Sequence, residues 1–256
     1  HLIGTEQGLG VRSAGTIGST GGDLVLQNNG WLTTTGTLQA SANLQITTQG
    51  NITNSGTLYA SNDQTLSATG NVTNSGVIAA QGNTSITANS LSSTSASVVG
   101  AGIKTDGTLV SSGNLNIATT QALAANGQNL AAGNITLTGS SVDLSGNQTG
   151  AANIAITANS GNVNTANATV ATSGTAGVLA ITAKTNNDQT LYNTHGVLNA
   201  GQINLDVASL TNAQGQITQT GVGDTSIALT SPTSTFNNTG GTVTVNSANL
   251  SVTANS

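Results

Sequence analysis

Residues 50–69, GNITNSGTLYASNDQTLSAT, are nearly restated by residues 70–89, GNVTNSGVIAAQGNTSITAN. Across this 20-residue period Asn51/Asn71, Thr53/Thr73, Asn54/Asn74, Ser55/Ser75, Gly56/Gly76, Ala60/Ala80 and Ala68/Ala88 are identical, while Ile52/Val72, Leu58/Ile78 and Leu66/Ile86 stay apolar. A unit this short cannot bury its own apolar face, so each copy must stack on the next. The period alone therefore commits the chain to a solenoid.

A thread of short strands with apolar residues two apart runs along the whole chain. The last apolar residue of each falls at 26, 46, 66, 86, 117, 137, 156, 181, 205, 229 and 252. These positions predict about eleven coils of 19–25 residues with one longer step of 31. Within one repeat Ile52, Leu58 and Leu66 are the inward anchors, and alternation around them has period two: Leu58 in, Tyr59 out, Ala60 in. Frequent Thr, Val and Ile suit strands. Asn54-Ser55-Gly56 and Asn74-Ser75-Gly76 read as corners where glycine supplies positive φ. The expected fold is all-β, a right-handed parallel β-helix. Its coils would lie about 4.7–4.9 Å apart, so eleven make a rod of roughly 50 Å.

Composition fits that coil. Charged residues are 4% and aromatics 2%, with no Cys or Met and one Pro, Pro232, which reads as a corner. Like charges stacked in outward columns would repel, whereas Thr, Ser and Asn can hydrogen-bond along them. Residues 1–256 read as a single β-helix segment excised from a longer protein, since neither end carries the cap a solenoid edge needs. The long step places a loop or partial coil at 87–114. Steps of 23–25 after Ile156 imply growing corners. The net charge of −5 and the three scattered bases, Arg12, Lys104 and Lys184, give no basic patch for nucleic acid, and no apolar run suits membrane insertion.

The units GNITNSGTLYAS, GNVTNSGVIAAQGNTSITA and SSGNLNIATTQ resemble the haemagglutinin repeats of filamentous haemagglutinin, and equally the stalk repeats of contact-dependent growth-inhibition exoproteins. The resemblance covers roughly 20–256 and is tightest at 30–90. It implies a secreted, cell-surface β-helical shaft, a virulence or adhesin filament of a Gram-negative bacterium. Export would run through an outer-membrane two-partner secretion transporter that engages regions outside this segment. The rod would be monomeric, with a cell-surface receptor as the remaining candidate partner.

Catalysis on a β-helix needs clustered carboxylates. The acids Glu6, Asp23, Asp63, Asp106, Asp143, Asp188, Asp206 and Asp224 are spread at one per coil or fewer, with no repeated register stacking two of them. The chain is therefore expected not to be an enzyme, and to need no cofactor or metal. Asp188, Tyr192 and His195 form the densest group, with Tyr192 outward and His195 at the corner before Gly196. One histidine is far short of a metal set, and a solvated corner histidine is the simpler reading. Gly21-Gly22-Asp23 and Gly221-Val222-Gly223-Asp224 are isolated fragments of a calcium-roll pattern, read as capped turns. The Asn-x-Ser/Thr triplets follow from the repeat and need no glycosylation, and the column Thr33/Thr53/Thr73 is too short for an ice-binding face. Candidate partner-binding residues are Trp31 and Tyr59, as outward aromatics, with Lys104 and Asp106 in the long step and Tyr192.

Overall fold

The computed structural model describes residues 2–4, 10–185, 188–247 and 249–254. The described residues contain strands and no helix. They form three parallel sheets wound as a β-solenoid of about twelve turns. The chain divides into two compact units, His1–Asn134 and Ile135–Ser256.

In the first unit, sheet A stacks Leu2–Gly4, Leu24–Asn28, Leu44–Thr48, Gln64–Ala68, Thr84–Ala88 and Leu115–Thr119. Sheet B runs from Val11–Ser13 through Ile52–Asn54 and Val72–Asn74 to Leu123–Ala125. Sheet C runs from Thr16–Ser19 through Thr57–Ala60 and Val77–Ala80 to Gln128–Ala131. Register follows the 20-residue period: Ile52 pairs with Val72, Leu58 with Ile78, and Leu66 with Ile86. These residues are fully buried, so each anchor meets its own equivalent one coil away. Burying one such aliphatic stabilises by about 1.5–3 kcal/mol before ordering is charged. The strand Leu2–Gly4, paired with Leu24–Asn28, is one rung more than the eleven expected.

The second unit repeats the plan with longer corners. Its sheet A holds Asn153–Ala158, Val178–Ala183, Gln202–Val207, Thr225–Leu229 and Leu250–Ala254. Sheet B includes Thr190–Tyr192 and Ser209–Thr211, and sheet C includes Val197–Ala200 and Gln216–Gln219. Pro232 lies in a turn in which the Ser234 amide donates to the Ser231 carbonyl at 3.1 Å.

The corners between sheets B and C differ from the expectation. Gly56 and Gly76 do not have positive φ. Glycine is needed there because a Cβ on Gly56 would lie 1.9 Å from the Gly36 carbonyl oxygen, and one on Gly76 2.0 Å from that of Gly56. The preceding asparagines point inward. Asn54 is 1% exposed, its Oδ1 accepts from the Gly56 amide (3.2 Å), and its Nδ2 donates to Asn74 Oδ1 (2.8 Å). In the second unit the corner gains a residue, and that residue is left-handed: Asn167 and His195 at φ 56°, Gln214 at 53°, Gly240 at 67°. Under it runs a longer ladder: Thr165 Oγ1 donates to Asn193 Oδ1, Asn193 Nδ2 to Asn212 Oδ1, and Asn212 Nδ2 to Asn238 Oδ1, at 2.7–2.8 Å. Each ladder satisfies amides that would otherwise be costly inside.

Candidate functional site

The long step becomes one defined insertion. The chain passes from Ala80 to Thr84 through three residues, but from Ala101 to Leu115 through thirteen. Residues 91–93 and 98–101 are ordinary sheet B and sheet C strands, so the irregular stretch is 102–114, shorter than 87–114. Its neck is tight. Gly102 has φ +69°, its amide donates to Gly82 O (2.8 Å), and its carbonyl accepts from the Val110 amide (2.7 Å). A Cβ on Gly113 would sit 2.4 Å from the Gly102 nitrogen.

Beyond the neck Ile103 and Leu109 form an antiparallel bridge, closed by a turn in which the Gly107 amide donates to Lys104 O (3.0 Å). Asp106 caps this turn by accepting from the Thr108 amide at 2.9 Å. That hydrogen bond, helped by the Thr108 side chain and by Lys104, holds the Asp106 carboxyl below the usual aspartate range.

Ile103 anchors the insertion. It is fully buried, yet not among the inward residues. Gly100 pairs with Ala79, which pairs with the outward Tyr59, so Gly100 faces out, and a Cβ there would lie 2.1 Å from Ile103 Cδ1. Ile103 thus straps the insertion across the outer face of sheet C. Leu109 and Val110 remain exposed at 59% and 41%. They were not singled out from the sequence, although a Leu-Val pair in a stretch that breaks the period was the available signal.

Tyr59 stands on the same face of the same unit. Its hydroxyl accepts from Gln81 Nε2 at 2.6 Å, and the Gln81 carbonyl accepts from the Ser111 hydroxyl of the insertion. The structure therefore brings Tyr59, Lys104 and Asp106 to one face. Trp31 lies apart, at the corner between sheets A and B. It is 42% exposed, with its indole over Gly10, where a Cβ would lie 2.1 Å from Cδ2. Tyr192 belongs to sheet B of the second unit, paired with Thr211 and 40% exposed, and His195 sits at the corner that follows.

The acids are not wholly without register. Asn43 pairs its backbone amide and Nδ2 with Asp23 Oδ1 (3.0 and 2.9 Å), and the Asp63 amide donates to Asn43 Oδ1 (3.2 Å). Asn83 repeats the pattern on Asp63. Asp23 and Asp63 thus share one outward column, a register not expected from the sequence, but they stand two coils apart with an asparagine between them. The spacer works because an amide can donate to the acid below and accept from the amide above. Among the described residues no group of three or more His, Cys, Asp or Glu could hold a metal ion. Lys184 pairs with Asp206 on the surface, and Glu6 lies outside the described residues.

Two curated proteins are similar in sequence to this chain. The chain is 52% identical over 130 residues, 51% of its length, to a protein named Toxin CdiA from Yersinia pestis. It is 50% identical over 201 residues, 78% of its length, to tRNA nuclease CdiA-2 from Burkholderia pseudomallei strain 1026b. The chain is homologous to contact-dependent growth-inhibition exoproteins. It spans 4% and 6% of those two relatives, so most of each lies beyond the match. No family model and no solved structure matches. The growth-inhibition relatives overturn one expectation. The chain was read as no enzyme, yet a relative at 50% identity is named a nuclease. Scattered acids describe only the residues at hand, and the chemistry of a far longer protein can lie anywhere along it.

Proposed function

We propose that this chain is a stretch of shaft in a secreted, cell-surface exoprotein of contact-dependent growth inhibition, holding a distal binding or toxin region away from the producing cell. The observation that carries this reading is the coil-on-coil register within each unit, like residue over like residue, with relatives named Toxin CdiA and tRNA nuclease CdiA-2. Stacked parallel strands satisfy the backbone above and below, and a nearly uncharged surface avoids repulsion along its columns. Passage through an outer-membrane two-partner transporter fits the same design. A chain without cysteine can cross unfolded and wind coil by coil outside, each coil burying a few aliphatic side chains.

A shaft tolerates loss of whole coils but not of fractions. Asn204 pairs with Ser226, so deleting residues 204–225 joins Ile203 to Ser226 and removes one turn. In the full-length exoprotein this deletion should leave surface display and growth inhibition within about twofold of wild type, while deleting 204–214 should abolish display. Loss of inhibition with normal display after the whole-coil deletion would sink the shaft reading.

A second reading, a receptor-binding module, is favoured by the exposed Leu109 and Val110 on the strapped insertion. Removing Ile103–Ser112 joins Gly102 to Gly113, which already touch. Saturable target-cell binding lost in that variant would support this reading over a plain shaft.

A further inference from the structure

The face that carries the insertion also holds a cleft to which the shaft reading gives no role. It lies within the first unit, has a volume of about 350 Å³, and is bordered by Ser19, Thr20, Gln39, Ser41, Tyr59 and Ser61. No charged side chain lines it. Gln39 and Tyr59 are register partners on sheet C, so an amide and a phenol ring stand side by side along one wall. Ser41 has only a long contact of 3.4 Å to the Gly22 carbonyl, which leaves its hydroxyl open to a better partner.

The tyrosine is held in position. Gln81 Nε2 donates to its oxygen at 2.6 Å, so the phenol proton stays available to donate outward. Gln81 is itself fixed through its carbonyl by Ser111 of the insertion, and Ala79, the neighbour of Tyr59 on sheet C, is fully buried. A ring kept from swinging, with one donor aimed out and hydroxyl and amide groups around it, is already organised for a ligand.

We infer that this cleft binds an uncharged sugar unit of a glycan chain. A sugar offers an apolar C–H face, which packs on the Tyr59 ring, and a rim of hydroxyls that both donate and accept. Serine, threonine and glutamine also do both. An anionic ligand would find no cation here, and the lining, more apolar than polar, gives the C–H face of a sugar a surface to pack on. The inference is independent of the shaft reading, because a shaft can carry a lateral sugar site.

The test is a nuclear magnetic resonance titration of the chain with maltose, lactose, cellobiose and diacetylchitobiose, with sialyllactose as the charged comparator. The expected result is saturable movement of the Gln39 and Gln81 side-chain amides with at least one neutral sugar, at a dissociation constant on the order of 1 mM. Tyr59→Ala should weaken binding by at least about tenfold and Tyr59→Phe by about threefold, with β-structure retained in circular dichroism. If Tyr59→Ala does not fold, Ser61→Val, at an exposed rim position, takes its place. No movement with any neutral sugar at about 20 mM, equal binding in the Tyr59→Ala variant, or binding of sialyllactose alone would each overturn the assignment.

Discussion

Gln64 occupies an inward column of sheet A between Leu44 and Thr84, is 1% exposed, and finds no hydrogen-bond partner for either Nε2 or Oε1. Its neighbour Thr84 escapes the same penalty by donating to the Gly100 carbonyl at 2.7 Å. A buried amide left unpaired costs roughly 1–3 kcal/mol, and leucine at this position also gains apolar burial. Gln64→Leu, which restores the residue type found at 44, should therefore stabilise the first unit by about 2–3 kcal/mol. With a urea slope of about 1–3 kcal/mol/M, the midpoint should rise by roughly 1 M. Because coupling in a solenoid is between neighbours, native-state hydrogen exchange should slow most in the strands 44–48, 64–68 and 84–88. An unchanged or lowered midpoint would mean that the amide is satisfied in solution, and the reasoning from its orphaned atoms would fail.

Interrupting the inner ladder should have the opposite sign: Asn193→Leu strands Asn212 Oδ1, leaves the Thr165 hydroxyl only the Tyr192 carbonyl at 3.1 Å, and should destabilise the second unit by about 1–3 kcal/mol in urea. His195→Gly relieves a left-handed backbone at φ 56° and should stabilise by about 0.5–1 kcal/mol, while Gly240→Ala should cost about 1 kcal/mol, both read by thermal unfolding. Gly56→Ala drives a methyl into the Gly36 carbonyl and should destabilise by more than about 2 kcal/mol, although φ there would accept alanine. The Asp106 cap is present above the ordinary aspartate value of about 3.9 and is lost as pH falls through its lowered one. An acid titration of the Thr108 amide should thus show a midpoint below 3.9, and one at or above it would refute the cap.

The solenoid and its three inward anchors were legible because stacking forces the same side chain to recur at the same place, and Ile52, Leu58 and Leu66 do so. The rung at Leu2–Gly4 was not, because Leu2 pairs with Leu26 across a longer step that lacks the Asn/Thr frame. Asn54 was read as part of a corner tripeptide, from turn chemistry, with no inward role. The period of two, Ile52 in and Thr53 out, already placed it inward, and parity outweighs polarity wherever a ladder can satisfy the amide. Tyr59, Lys104 and Asp106 could be named from the sequence, but their sharing one face could not. That depends on Ile103 folding back over Gly100, a contact between an insertion and the coil that bears it.

In both inner ladders each amide-to-amide link runs from an Nδ2 to the Oδ1 of the next higher-numbered coil. A growing stack therefore ends on an amide donor that waits for the next turn to present a carbonyl oxygen. Each Nδ2 also donates to the corner glycine carbonyl of its own coil, so a coil that arrives one residue out of step leaves one of the amide's two protons unpaired, at a penalty of about 1–3 kcal/mol. At the coils that carry it, the ladder thus biases winding toward the turn that lands in frame.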